Sequence, residues 1–254
     1  MKRARSSTSR RRDAARAQVG SLLCLVLVAC GDDPEPEAPS GTSGERPAVT
    51  SWVPAVAPPP IEGAVLSVAG VPILRDALEH LAEAAALATP EYTLAHHRRL
   101  ALDTDLIPQA ALAAAFPEER AAALADAERA LEHLRVDPRD LRDLDVTVQE
   151  SDIRDLGIGL WKALSDGAQG RWVGPVEGLG RWRIARWLVT SEAPTPGLTR
   201  FSCELVDFWF VPDGDAYTAV DEALAVAELV VHEPAVGELV TERMRWRMKR
   251  PSSD

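Results

Sequence analysis

The chain has 254 residues, 46% of them hydrophobic, and sets 28 Lys and Arg against 39 Asp and Glu, a net charge of −11 at pH 7. Residues 1–29 hold seven basic side chains and one acidic one, so a chain without them carries about −17. Such a surface repels phosphate backbones, and outside the leader only the C-terminus is Arg-rich, which excludes nucleic acid as a partner.

The leader has the order of an export signal. A basic stretch from Lys2 to Arg16 precedes an apolar run from Val19 to Val28, too short to span a bilayer core of about 30 Å. Leu27-Val28-Ala29-Cys30-Gly31 follows, in which small residues before a cysteine have the form of a bacterial lipobox. The expectation is a lipoprotein signal over 1–29, acylation of Cys30, and a protein held in the cell envelope. Gly31 after the cysteine favours the outer membrane, facing the periplasm. Cys24 leaves with the signal and Cys30 is consumed, so Cys203 is left alone. That rules out an internal disulfide and a Cys-based metal site in the mature chain. Residues 30–60 are rich in Pro, Glu, Ser and Gly and are expected to form a disordered tether.

Folded structure is expected from residue 61. Ala64–Ile73 is read as a short β run with a Gly turn. Leu74, Leu78, Leu81 and Ala85 then have helical spacing. Thr89-Pro90-Glu91 is read as the start of a second helix, which Pro108 ends or kinks. Pro117 with Glu118 and Glu119 starts a third, with Leu124, Ala127, Leu131 and Leu134 on one face. The charged stretch 137–152 marks a boundary between a helical lobe, 61–136, and a mixed lobe, 137–254. In the second lobe Ser151 caps a helix carrying Ile153, Leu156, Leu160 and Leu164, which Asp166-Gly167 stops. "GRWVGPVEGLGRWRIARWLV", residues 170–189, reads as a strand, a Gly-Pro turn and a strand. Another strand covers 200–211, and a phase slip between Leu205 and Phe208 implies a bulge near Asp207. Tyr217, Val220, Leu224, Ala227 and Val231 mark a helix, and Pro234 begins a last one ending near Met248.

Few residues suggest chemistry. His80, His96, His97, His133 and His232 form no His-x-x-x-His pair, and solvated helix positions account for them. Asp103-Thr104-Asp105 and Asp213-Gly214-Asp215 lack the further oxygens of a calcium loop. No metal and no cofactor are expected. Trp172, Trp182, Trp187 and Trp209 lie close together in the sequence, and with Pro175 they form a candidate groove for apolar peptide. Core packing is the alternative account. Strand alternation puts Trp182 and Trp187 on opposite faces.

Two stretches carry a family resemblance. "GAVLSVAGVPILRDALEHL" resembles the opening of the SurA/PrsA family of extracytoplasmic foldases, with Ala69-Gly70 in place of an Asn-Gly turn. "LWKALSDGAQGRWVGPVEGLGRWRIARWL" resembles the end of a parvulin-type prolyl isomerase domain. Aligned on Gly180, the family's strand histidine falls on Trp182, and its other histidine falls on Cys203 within Ser202-Cys203-Glu204-Leu205. The strand bearing Cys203 follows the hairpin instead of preceding it, so the order is permuted. No catalytic residue is therefore assigned.

The sequence implies an α+β protein: a helical lobe, and a small antiparallel sheet flanked by helices. The resemblance implies a lipid-anchored foldase or chaperone whose partners are extended segments of exported polypeptides, with weak or no isomerase activity. An active isomerase and an assembly lipoprotein docking one envelope partner are the alternatives.

Overall fold

A computed structural model describes residues 54–248; Cys30, the leader and most of the tether lie outside them. The chain is α+β, with two four-stranded sheets. In chain order the first elements are β1 (Ala55–Val56), β2 (Ala64–Val68), β3 (Val71–Leu74), α1 (Arg75–Ala88) and α2 (Leu94–Ala101). A π-helical turn, Leu102–Leu106, leads into α3 (Ile107–Ala115) and α4 (Pro117–Val136). Then come β4 (Val146–Ser151), α5 (Ile153–Leu156), α6 (Ile158–Asp166), β5 (Val173–Gly178), β6 (Arg181–Ser191) and β7 (Arg200–Trp209). The chain closes with α7 (Ala216–Val226), β8 (Leu229–Val231), α8 (Pro234–Gly237) and α9 (Glu242–Arg247).

The first sheet has the order β1-β8-β2-β3. Its β2–β3 hairpin turns at Ala69 and Gly70, both at positive φ (47° and 81°). Two left-handed residues match the twist of the flanking strands, and Ala69 adopts there a conformation that asparagine or glycine accepts more readily. β8 inserts between β1 and β2, antiparallel to β2 and parallel to β1. Its neighbours α7 and α9 join the same core as β2, α1 and α3, through Leu66, Leu78, Leu112, Leu224 and Met244. A division at residue 137 therefore does not separate two lobes: the C-terminal elements pack on the N-terminal ones. The tether is also shorter than composition suggests. Ala55 and Val56 pair with Val230 and Val231, a bond pattern that uses only backbone and leaves no trace in side-chain composition.

The second sheet has the order β4-β7-β6-β5 and is antiparallel throughout. One face is covered by α4, with Leu131 and Leu134 against Ile184 and Val206. The other is covered by α5 and α6, with Leu156, Leu160 and Leu164 against Ala185, Cys203 and Leu205. Cover on both faces explains the phase slip in β7. Leu205 and Val206 are both buried, each in its own layer, and the register with β6 runs unbroken past Asp207. The register shift is instead on the partner strand, between Trp187 and Val189.

Other boundaries also differ from expectation. Thr93, not Thr89, caps α2; Thr89 ends α1, its hydroxyl donating to Ala85 O at 3.1 Å. Asp152 caps α5, accepting from Arg154 N, and Gly157 at φ 81° divides the expected single helix. The hairpin between β5 and β6 turns at Leu179-Gly180, whereas Gly174-Pro175 lies inside β5 at a register shift. Only glycine fits there: φ at Gly174 is 113°, and a Cβ would meet Arg183 O at 2.7 Å. The helix from Ala216 stops at Val226, so Val231 is a strand residue, and the last helical segment is broken into α8 and α9. β4 falls in a stretch too charged to suggest a strand, because it is an edge strand with Thr147, Val148 and Glu150 exposed.

Candidate functional site

The tryptophans do not line one groove. Trp172 is buried against the α4 layer, its Nε1 donating to Pro138 O at 3.3 Å and the Arg186 guanidinium lying 5.0 Å from its ring. Trp182 faces the same helix, donates to Arg120 O at 3.1 Å and lies under the Arg120 guanidinium. Trp187 is on the other face, donating to Gly167 O at 2.9 Å and packing on Phe201. Three indole N–H groups are thus consumed inside the fold, as is usual for buried tryptophans, whereas Trp161 on α6 is buried with its Nε1 unpaired among the described residues. Of these four, only Trp209 is open, 42% exposed at the end of β7 beneath Arg181.

The two positions that the resemblance gives to histidines also separate. Trp182 pairs across the strands with Phe208 and faces α4, whereas Cys203 pairs with Trp187 and faces α6. Side chains on opposite faces of one sheet cannot close on one amide. Cys203 is fully buried, with Sγ 3.6 Å from Gln149 O, and burial pushes its thiol up to about 11. It is an inert core thiol.

Pro175 instead lies in a cleft of about 390 Å³ between α1, the π-turn, α3, α6 and β5. The π-turn follows from the proline at 108, which has no N–H to give to an α-helical ladder; Ile107 N–H reaches back to Leu102 O across one extra residue. That extra residue brings Leu106 and Asp105 to the cleft wall and carries Asp103 to a different one. Leu81 of α1 and Val176 of β5 complete the apolar surface. Gly159 lets α6 approach, since a Cβ there would sit 3.2 Å from Val176.

The rim is charged but mostly compensated. Arg120 Nε and Nη2 donate to Glu177 at 2.7 and 2.6 Å, which raises the guanidinium further, and Lys162 pairs with Asp166. Gln109 Nε2 donates to Glu177 O at 3.4 Å. Asp105 has one donor, the Thr104 hydroxyl at 2.5 Å, and burial raises its carboxyl above the usual range. An apolar floor with a few convergent polar groups, in a volume of this size, suits a short run of polypeptide side chains. The sequence gives one faint sign of it, Asp103-Thr104-Asp105 followed by Pro108, which helical periodicity alone assigns to an ordinary helix surface.

The histidines divide. His80 and His96 are exposed, and His133 is half-exposed beside Asp140 at 3.2 Å. His97 is fully buried in α2, and His232 is a strand-end residue with its ring nitrogens 2.7 Å from Ser67 Oγ and 2.9 Å from Ala57 O. Among the described residues no group of three or more His, Cys, Asp or Glu side chains could hold a metal ion. No described helix is long and apolar enough to cross a membrane. Compared with known proteins, the chain matches no family model, no curated protein and no solved structure.

Proposed function

We propose that the protein is a chaperone of the cell envelope, lipid-anchored through Cys30 at the periplasmic face of the outer membrane, and that it holds extended apolar segments of exported polypeptides without isomerising them. The observation that carries this reading is the cleft beside Pro175. It offers Leu81, Leu106 and Val176 to a bound segment and lies along β5, an outer strand of its sheet. The foldase resemblance supports the reading, and so does the separation of Trp182 from Cys203, which leaves no pair of polar groups to twist an X-Pro bond. An uncatalysed bond of that kind meets a barrier of about 20 kcal/mol.

Two assays on the full chain test it. Suppression of aggregation of two unrelated unfolded proteins is expected, and it should fall in Ala77→Trp, which fills the cleft from an exposed position on α1. Suppression of neither, with tight binding of a single envelope protein, would replace the chaperone with an assembly adaptor. In a proline-limited refolding reaction no acceleration is expected at substoichiometric protein; acceleration that Trp182→Ala reduces would make the protein an isomerase.

A further inference from the structure

A second cleft, also of about 390 Å³, lies on the other side of the π-turn, between α2 and α9. Its chemistry is opposite in sign to the rest of this acidic chain. Arg99 comes from α2, Arg243 and Arg247 from α9 one helical turn apart, and Thr104 and Thr241 also line the cleft. Arg247 is held by Asp221. Arg99 and Arg243 are exposed, and among the described residues neither has an acidic partner at ion-pair distance. Asp103 also lines the cleft: burial raises its carboxyl above the usual range against the pull of Thr241, Arg99 and Arg243, and among the described residues its Oδ1 has no hydrogen-bond partner. Leu100 of the lining is 37% exposed on α2, and Trp246, three residues after Arg243 on α9, is 59% exposed.

We propose that this cleft seats lipid phosphates, and that the α2–α9 face rests on an anionic bilayer surface. Guanidinium forks match the tetrahedral oxygens of phosphate and bind them in pairs. Arginine, tryptophan and leucine at one level are the combination that a headgroup region accepts, with charge at the phosphates and rings and aliphatic carbon just below. The remaining surface, acidic overall, is repelled by the same bilayer, so a single orientation results. This inference uses only described residues and does not depend on the chaperone reading or on acylation of Cys30. Lipid attachment would raise the local concentration of the face at the membrane.

Hydrogen–deuterium exchange on the full chain carrying Cys30→Ala tests the face directly, because it reports each segment separately from the leader. Vesicles of phosphatidylglycerol and phosphatidylethanolamine are expected to protect residues 94–104 and 241–248, and vesicles of phosphatidylcholine are not. The double variant Arg99→Glu/Arg243→Glu should lose that protection, with an affinity for the face lower by about tenfold or more. Arg139→Glu/Arg171→Glu, an equal change of charge at exposed positions elsewhere, should keep it. Arg139→Glu/Arg171→Glu should melt like the parent, whereas Arg99→Glu/Arg243→Glu should lose some stability because both arginines act on Asp103, so protection is compared with that of the same variant without vesicles. Equal protection in the Arg99/Arg243 variant would overturn the proposal. So would displacement by 10 mM inorganic phosphate at matched ionic strength, which would make this a site for soluble phosphate. Protection by a Glu-rich peptide but not by vesicles would assign the face to an acidic polypeptide instead.

Discussion

The layers on either side of β6 and the cleft beside β5 are made of different materials. Around β6 the large aromatic side chains face inward: Trp172 and Trp182 toward α4, Trp187 toward α6, and Trp161 from α6 toward the sheet, with their carbon packed in three separate clusters. The cleft contains no tryptophan. It is walled by alanine, glycine, leucine and valine, with charged groups at the rim. Small residues leave volume empty and large ones fill it, so an aromatic-rich stretch marks where this fold is densest and a small-residue stretch marks where it opens. A tryptophan-dense sequence next to a Gly-Pro step suggests a peptide groove, yet here it signals a sheet buried on both sides.

Breaking the dense region should cost most. Trp187→Ala removes the ring that packs on Phe201 and leaves Gly167 O without its donor; a loss of about 3 kcal/mol in urea unfolding is expected. A loss below about 1 kcal/mol would put Trp187 on a functional surface instead.

Cys203 tests the same layer through pH. Its folded thiol titrates near 11 against an ordinary value of 9.0, so the unfolded chain releases its proton first as pH rises. The stability this group contributes is whole below pH 9 and is lost between about 9 and 11, by about 2–3 kcal/mol. The loss of stability over this window should be smaller by that amount in Cys203→Ala than in the parent. A native thiol that reacts rapidly with a maleimide at neutral pH would contradict the burial.

Arg183 lies buried on the α6 face, donating to Asp207 at 3.0 Å and to Leu156 O at 3.1 Å. Arg183→Met should cost about 2 kcal/mol, moderated because Asp207 keeps Arg181 at 3.2 Å. Far from both regions, Ala69→Asn should stabilise the β2–β3 turn by about 0.5–1 kcal/mol, since asparagine tolerates the left-handed φ that Ala69 holds. A destabilisation there would mean that the turn relaxes in solution.

Periodicity found most of what local pattern can express. The α1 stripe from Leu78 to Ala85, the α4 stripe and the β6 alternation follow from residues close in sequence, although Leu74, read as the first member of the α1 stripe, ends β3 and is 39% exposed. The failures are of another kind. β1 and β8 are three residues or fewer and exist only because strands distant in sequence accept them. β4 carries charges because one edge and part of one face meet water. The cleft is a property of four separated segments that leave a gap, and no segment announces it. Even the two-faced reading of Trp182 and Trp187 was legible, but what covered each face was not, because α4 and α6 both precede β6 in the chain and only packing decides which face each one takes.

Where an extended segment binds is therefore the decisive question. A peptide of alternating leucine and serine bearing a photoactivatable group, cross-linked to the full chain and mapped by mass spectrometry, answers it directly. Adducts on 77–81, 105–109 and 175–177 are expected, and they should disappear in Ala77→Trp. Adducts confined to the tryptophans of 181–191 and 209, unchanged by Ala77→Trp, would show that the aromatic layers open to substrate and that the cleft is not the binding site.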